Sequence, residues 1–204
     1  MQAEDAALRD AKAAIRKAAL ARRDGLDAEA RLAASRLIAA GLSAVLAPLG
    51  VAHLGGATAS GFWPIRSELD PRPLMRELAA GGALLALPCI EAGALVFRRF
   101  AFGDRLSSAG FGLSQPPPEA EAVSPDLMLV PLAAFDRKGG RIGYGKGYYD
   151  GAIARLAASG ARPLKLGLAF ACQEAPAIPM EPHDQPLDAI LTEHELIVVR
   201  VNSE

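Results

Sequence analysis

Apolar residues at the start of the chain recur at helical spacing. Leu8, Ala11, Ile15 and Ala18 or Ala19 share one stripe, predicting a helix over residues 2–23 that Asp24 and Gly25 end. Asp27 is a favoured N-cap residue, predicting a second helix to about Leu46, with Pro48 and Gly50 beyond it. The pattern then changes. Residues 51–54, 83–87, 127–130 and 164–170 are short apolar runs of the kind that form buried strands, and residues 95–102 alternate more clearly. A short last strand is expected at 196–201. Between the runs, Pro71 opens a helix to about Ala80 that Gly81 and Gly82 stop, and another helix is expected over 148–158. Residues 61–70 and 116–118 read as irregular connections. Short apolar runs alternating with helices predict an α/β protein with a largely parallel sheet covered on both faces. Ligands of such sheets bind beyond the carboxyl ends of the strands, here the segments after Leu54, Leu87, Val130 and Phe170.

The chain has 204 residues, 51% of them hydrophobic, which excludes intrinsic disorder and leaves room for one domain or two small ones. Lys and Arg number 22 against 23 Asp and Glu, a net charge of -1, so no general electrostatic pull toward nucleic acid or an acidic membrane exists. Any anionic ligand needs a local cluster. Residues 37–65 carry no Asp, Glu, Lys or Arg, yet Pro48, Gly50, Gly55, Gly56 and Gly61 interrupt them, so a buried helix and strand are expected rather than a membrane span. Glu4, Asp5 and Asp10 near the start argue against a targeting peptide. Cys89 and Cys172 sit in apolar runs, which fits buried thiols in a reducing compartment.

The densest chemistry lies at 135–150, FDRKGGRIGYGKGYYD. Gly139, Gly140, Gly143, Gly145 and Gly147 fall within nine residues, just before an expected helix. Glycines let backbone N–H groups approach a ligand, and the helix N-terminus adds positive potential, so the segment suits an anion; Arg141 and Lys146 reinforce it. The alternative is a flexible turn. A Walker A loop fails because Gly147 stands where Ser or Thr would hold magnesium, and the glycine spacing is not G-x-G-x-x-G. Asp150 is either an oxygen ligand for a metal or a first-turn acid that the helix dipole favours. Lys12 and Arg16, four apart on the first helix, repel unless an anion lies between them; a solvated face is the alternative. Glu68 can orient a substrate N–H or simply start a helix, and Phe62 and Trp63 are either a flat apolar wall or core. Asp184 and Asp188 follow His183 without histidine metal spacing, as metal neighbours or turn caps. No G-x-S-x-G elbow supports a serine hydrolase.

Taken in order, these segments resemble the 5-formyltetrahydrofolate cyclo-ligase family. Lys12-x-x-x-Arg16 is similar to its N-terminal nucleotide-contacting pair, and residues 64–70 to its P-x-x-x-E-x-D substrate loop. Residues 111–116 resemble an aromatic-Gly-Ile-Pro-x-Pro stretch, with Ser114 where proline is usual. Residues 129–150 resemble the hallmark P-x-x-x-F-D-x-x-G-x-R-[LI]-G-x-G-x-G-Y-Y-D, and residues 184–193 the closing D-x-x-x-D-x-x-x-T-E. The resemblance implies a single three-layer α/β domain over 1–204 with a Rossmann-like sheet, acting in the cytoplasm as a monomer. It implies the ATP- and Mg²⁺-dependent cyclisation of 5-formyltetrahydrofolate to 5,10-methenyltetrahydrofolate, with ATP and the folate as its partners, and no nucleic acid or membrane. Carried over by position, Lys12, Arg16, Arg141, Gly143, Tyr144, Gly145, Lys146, Gly147, Tyr148 and Tyr149 hold ATP. Lys146 lies along the transferring phosphoryl group and acts with Arg141 and Glu68 in catalysis. Glu68, Phe62, Trp63 and Phe111 hold the folate, and Asp150 and Asp188 take Mg²⁺.

Overall fold

The computed structural model describes residues 2–51, 53–109 and 114–199. Phe111, with the first half of the aromatic-Gly stretch, and the end of the last expected strand lie outside the described residues. Alternation along the strands builds three layers. In β2 (Leu84–Glu91) Leu85 and Leu87 face one side and Ala86 the other; in β6 (Leu127–Pro131) Leu127 and Leu129 oppose Met128 and Val130. The first set packs on α2 (Ala28–Ala40), α3 (Leu42–Leu46) and α4 (Arg72–Ala80), the second on α5 (Tyr148–Ala158). With β1 (Thr58–Ser60), β3 (Ala94–Phe100), β9 (Leu164–Leu168), β10 (Ala189–Leu191) and β11 (Leu196–Val198), the sheet runs β11-β10-β9-β6-β1-β2-β3. The five central strands are parallel and both edge strands antiparallel. The fold is therefore the expected α/β architecture with a mostly parallel sheet between helical layers. Among the described residues, no helix is long and apolar enough to cross a membrane.

Helices α1 (Gln2–Asp24), α4 and α5 follow the periodicity closely. Three expectations change. The second helix does not run to Leu46: Gly41 closes α2, its N–H returning to Leu37 and Ala39, and a short α3 restarts. Val51, His53 and Leu54 form no strand. Leu54 is core beneath the helices instead, and the strand is the less apolar Thr58–Ser60, which its neighbours β2 and β6 pair from both sides. The backbone ladder, not apolar content, places that strand. β10, three residues long, is not among the expected strands. Two small antiparallel pairs are additional: β4 (Ser107–Ser108) with β5 (Ser114–Gln115), and β7 (Ala134–Phe135) with β8 (Arg141–Ile142). Pro88 lies inside β2 beyond Ala86, the last residue paired with β1, where the strand has a partner only in β3. Such a one-sided position tolerates proline.

Candidate active site

Ile15 and Ala19 of α1 pack on Ala134, Ile142, Ala175 and Ile178, which lays α1 over the β7–β8 hairpin. The hairpin turn is held by Asp136. This buried carboxylate accepts the Lys138 and Gly140 N–H groups on Oδ1, both at 2.9 Å, and the Ile178 N–H on Oδ2 at 2.7 Å. Gly140 is required here, because a Cβ would fall 2.9 Å from both Asp136 Oδ2 and Ile178 Cβ. After β8 the chain turns through residues 143–147 into α5, with Gly147 as N-cap at φ 64. That left-handed conformation favours glycine and leaves the first-turn N–H groups of α5 without a side-chain cap.

Cations surround this turn in different states. Arg16 donates its Nε to the Gly143 carbonyl at 2.7 Å and lies along Gly145. Arg141, with its side chain 5% exposed, donates to Asp150 Oδ1 at 2.7 Å, and its Nε is buried without a partner. The same Asp150 oxygen accepts the Gln185 N–H at 3.0 Å, while Oδ2 takes no hydrogen bond from the described residues. Lys146 is exposed and makes no hydrogen bond or ion pair with the described residues. Lys12 lies on the same face of α1 as Arg16, but its Nζ is held by Glu181 Oε2 at 2.6 Å and Asp184 Oδ2 at 2.5 Å. Burial alone pushes the Lys12 ammonium down and the Asp184 carboxyl up. Their mutual hydrogen bond, with Glu181, reverses both, leaving Lys12 above and Asp184 below its ordinary value.

The loop after β1 brings Glu68 to the same place. Its Oε2 accepts the Ile65 N–H at 2.9 Å. Burial raises the Glu68 pKa, against the Ile65 N–H, Arg23, Tyr144 and Arg66, which lower it. Burial, with Glu68 next, raises Tyr144 and Tyr149, and the Tyr149 hydroxyl is buried without a partner. Arg141 acts on Tyr149 in the opposite direction, so Glu68, Tyr144, Tyr149 and Arg141 form one electrostatic neighbourhood.

Other expected residues stand apart. Phe62 is core, 4% exposed. Trp63 is half-buried, edge-on to Phe100 at 5.9 Å and covered by the Arg72 guanidinium at 5.1 Å. Tyr148 packs against the α5 side of the sheet. Asp188 sits at the amino end of β10, where its carboxylate takes the Lys165 N–H at 2.7 Å and pairs with Lys165 Nζ at 3.1 Å. Asp136, Glu181 and Arg23 are members of this assembly that the sequence reading did not single out. Asp136 had a signal, an Asp two residues before a turn N–H. Arg23 had only the look of a last-turn cation suited to the helix dipole.

Two polar loops thus meet under α1: one Gly-rich, bearing Arg141 and Lys146 beside Arg16 of the helix, the other bearing the half-buried Glu68 carboxylate. The chain is similar to 5-formyltetrahydrofolate cyclo-ligase of Escherichia coli K12, 31% identical over 152 residues that span 71% of this chain and 80% of that one. The Mycolicibacterium smegmatis enzyme of the same name is 32% identical over 155 residues, spanning 71% and 78%. The solved structure of Aquifex aeolicus 5,10-methenyltetrahydrofolate synthetase superposes with a TM-score of 0.74 at 29% identity, over 95% of each chain. The family model for the 5-formyltetrahydrofolate cyclo-ligase family matches residues 8–193, from α1 through the closing Thr192-Glu193, and the chain belongs to that family.

Proposed function

We propose that this ligase uses MgATP to close the formyl group of 5-formyltetrahydrofolate onto N10, releasing 5,10-methenyltetrahydrofolate, ADP and phosphate. The observation that carries the reading is the juxtaposition of the 143–147 turn, flanked by Arg16, Arg141 and Lys146, with Glu68 across Tyr144. A formyl oxygen bound to carbon is a poor leaving group. Transfer of the ATP γ-phosphoryl to it forms an O–P bond and breaks the bond to the β-phosphate. N10 then attacks the formyl carbon, the carbon–oxygen bond breaks, N10 loses its proton, and phosphate departs. The protein's work is positioning and neutralising charge.

In this reading the N–H groups of 143–149 and the Arg16 and Arg141 guanidiniums hold the triphosphate, and Lys146 follows the transferring group. Lys12 reaches phosphate by exchanging it for Glu181 and Asp184. Glu68 accepts a hydrogen bond from a folate nitrogen beside the reacting carbon, with Trp63 and Phe111 as candidates for packing on the pterin or benzoyl ring, whereas Phe62 is enclosed in the core. Magnesium fits Asp150 by donor chemistry: a partly buried carboxylate with one oxygen anchored by Arg141 and Gln185 and the other without a partner offers one hard oxygen. Bound there, the ion would supply charge neutralisation between phosphate oxygens. The Asp188 carboxylate is engaged by Lys165, so the metal assignment rests on Asp150. In the same reading residues 1–204 form one domain that acts as a monomer. Mixing the protein with 5-formyltetrahydrofolate and MgATP should yield methenyl product and ADP in equal amounts; ADP without methenyl product, or neither, would refute the reading.

Two variants test individual roles. Lys146→Ala should lower turnover at least about tenfold, about 1.4 kcal/mol of barrier. Its thermal midpoint should not move, because Lys146 is exposed and partnerless; an unchanged rate would remove it from the reaction. Glu68→Gln should raise the folate KM far more than that of ATP. It should also be no less stable than the parent at neutral pH. Burial holds the folded Glu68 pKa above its ordinary value, so the native state binds that proton more tightly. Stability from this group is full below the unfolded value and is lost as pH rises from there through the raised folded value. Glutamine lacks that loss, so thermal melts at several pH values should show the variant gaining on the parent across this window.

A further inference from the structure

Arg23 belongs to none of the family-like segments, yet at 1% exposure it is the most enclosed charged residue described. From the last turn of α1 it reaches two other elements. Its Nε donates to Ser67 Oγ and its Nη2 to Tyr144 Oη, both at 3.0 Å, and the guanidinium stands over the Tyr144 ring at 5.9 Å. The nearest carboxylate, Asp24, is mostly exposed and 3.9 Å away, and it also accepts the Ser67 hydroxyl proton. Nη1 has no partner. A buried guanidinium with so weak a counter-charge is costly for the fold, which makes its donor geometry informative.

That geometry has a direction. A phenol has one proton, and because Tyr144 Oη accepts from Arg23 its own proton points away from the guanidinium, while Tyr144 is one of the groups that lower the Glu68 pKa. Ser67, the residue before Glu68, is tied to the same guanidinium. The charged and titratable groups facing Glu68 are Arg23 from α1, Tyr144 from the Gly-rich turn, Tyr149 from α5, and Arg66 from its own loop. Among the described residues, only Arg23 bonds by its side chain to both the loop that carries Glu68 and the turn that carries Tyr144.

We propose that Arg23 is a positioning residue for Glu68, tying the loop that carries this carboxylate, through Ser67, to the turn that carries Tyr144, so that Glu68 stands where it accepts a hydrogen bond from a folate N–H. The inference rests on the reading of Glu68 as a folate-binding group. The test compares Arg23→Met, Arg23→Lys, Tyr144→Phe and Glu68→Gln by initial rates against folate concentration at saturating MgATP, across pH. Arg23→Met should raise the folate KM about tenfold with kcat and the ATP KM little changed. It should also move the acid limb of kcat/KM for folate up by about one pH unit, because an uncompensated buried carboxyl protonates earlier. Arg23→Lys, which keeps the charge, should restore most of the limb, and Tyr144→Phe should move it the same way by less. A native Arg23→Met with parental limb and folate KM overturns the proposal. If Arg23→Met does not fold, an unmoved limb in Tyr144→Phe overturns it equally. Glu68→Gln separates the two readings: if it leaves the folate KM unchanged, the folate role of Glu68 falls and this inference with it. A strong Glu68→Gln effect beside an unmoved limb in the Arg23 and Tyr144 variants removes Arg23 alone.

Discussion

Asp150→Asn is expected to reduce methenyl product formation at least about a hundredfold, about 2.7 kcal/mol of barrier, while its thermal midpoint falls less than that of Asp150→Ala. The difference follows from how the two oxygens are used. Oδ1 accepts from Arg141 and from the Gln185 N–H, and an asparagine oxygen keeps both hydrogen bonds while giving up the charge that pairs with Arg141. What asparagine lacks is the negative charge that a magnesium ion among phosphates requires. Asp150→Ala is the less clean variant. It leaves the Arg141 guanidinium, whose Nε is already unpartnered, without its counter-charge at 5% side-chain exposure. Breaking such a pair by removing one member costs about 3 kcal/mol, so the alanine variant should lose stability together with activity. Initial rates at saturating MgATP, paired with thermal melts, distinguish the two. A near-parental rate in Asp150→Asn would show that the carboxylate serves only to hold Arg141 and Gln185.

Asp136→Ala should be the most destabilising of the simple substitutions in the Gly-rich segment, by about 4 kcal/mol, since three backbone donors lose their acceptor. The Lys138, Gly140 and Ile178 N–H groups converge on this one carboxylate, which is 5% exposed. The packing of Gly140 against Asp136 and Ile178 leaves little room for a compensating shift. Because α1 lies on this hairpin through Ile15 and Ala19, loosening it also loosens the helix that carries Lys12, Arg16 and Arg23. Denaturant midpoints at constant m measure the effect. A change below about 1 kcal/mol would mean that the hairpin holds without the carboxylate. Asp136 is thus a framework acid inside the Gly-rich segment. Spacing alone does not separate Asp136 from Asp150, although one is enclosed by backbone donors and the other keeps an oxygen without a partner.

The elements that the sequence reading placed well are those with strong local periodicity. Helices α1, α4 and α5 lie almost where their apolar stripes and flanking Gly and Pro put them. β1 was misplaced and β10 absent because both are three-residue strands that neighbouring ladders specify, and their own residues carry little pattern. In the site, Lys12 and Arg16 were legible as one helix face, and 143–147 as an anion cradle. Their partners were not. Lys12 meets residues 169 and 172 positions away, Arg16 one 127 away, and Arg23 one 121 away.

By itself the sequence determined the α/β alternation, the glycine turn ahead of α5, the set of polar groups available for phosphate and folate, and the resemblance to a cyclo-ligase family. The tertiary structure alone decided which of these groups are neutralised, buried or free. It shows Lys12 held by two acids, Arg141 by Asp150, Asp188 by Lys165, Glu68 enclosed, and Lys146 without a partner. The reason is the range of the forces. Helix and strand periodicity is written within a few residues of chain, whereas desolvation and ion pairing depend on which distant segments the core brings together.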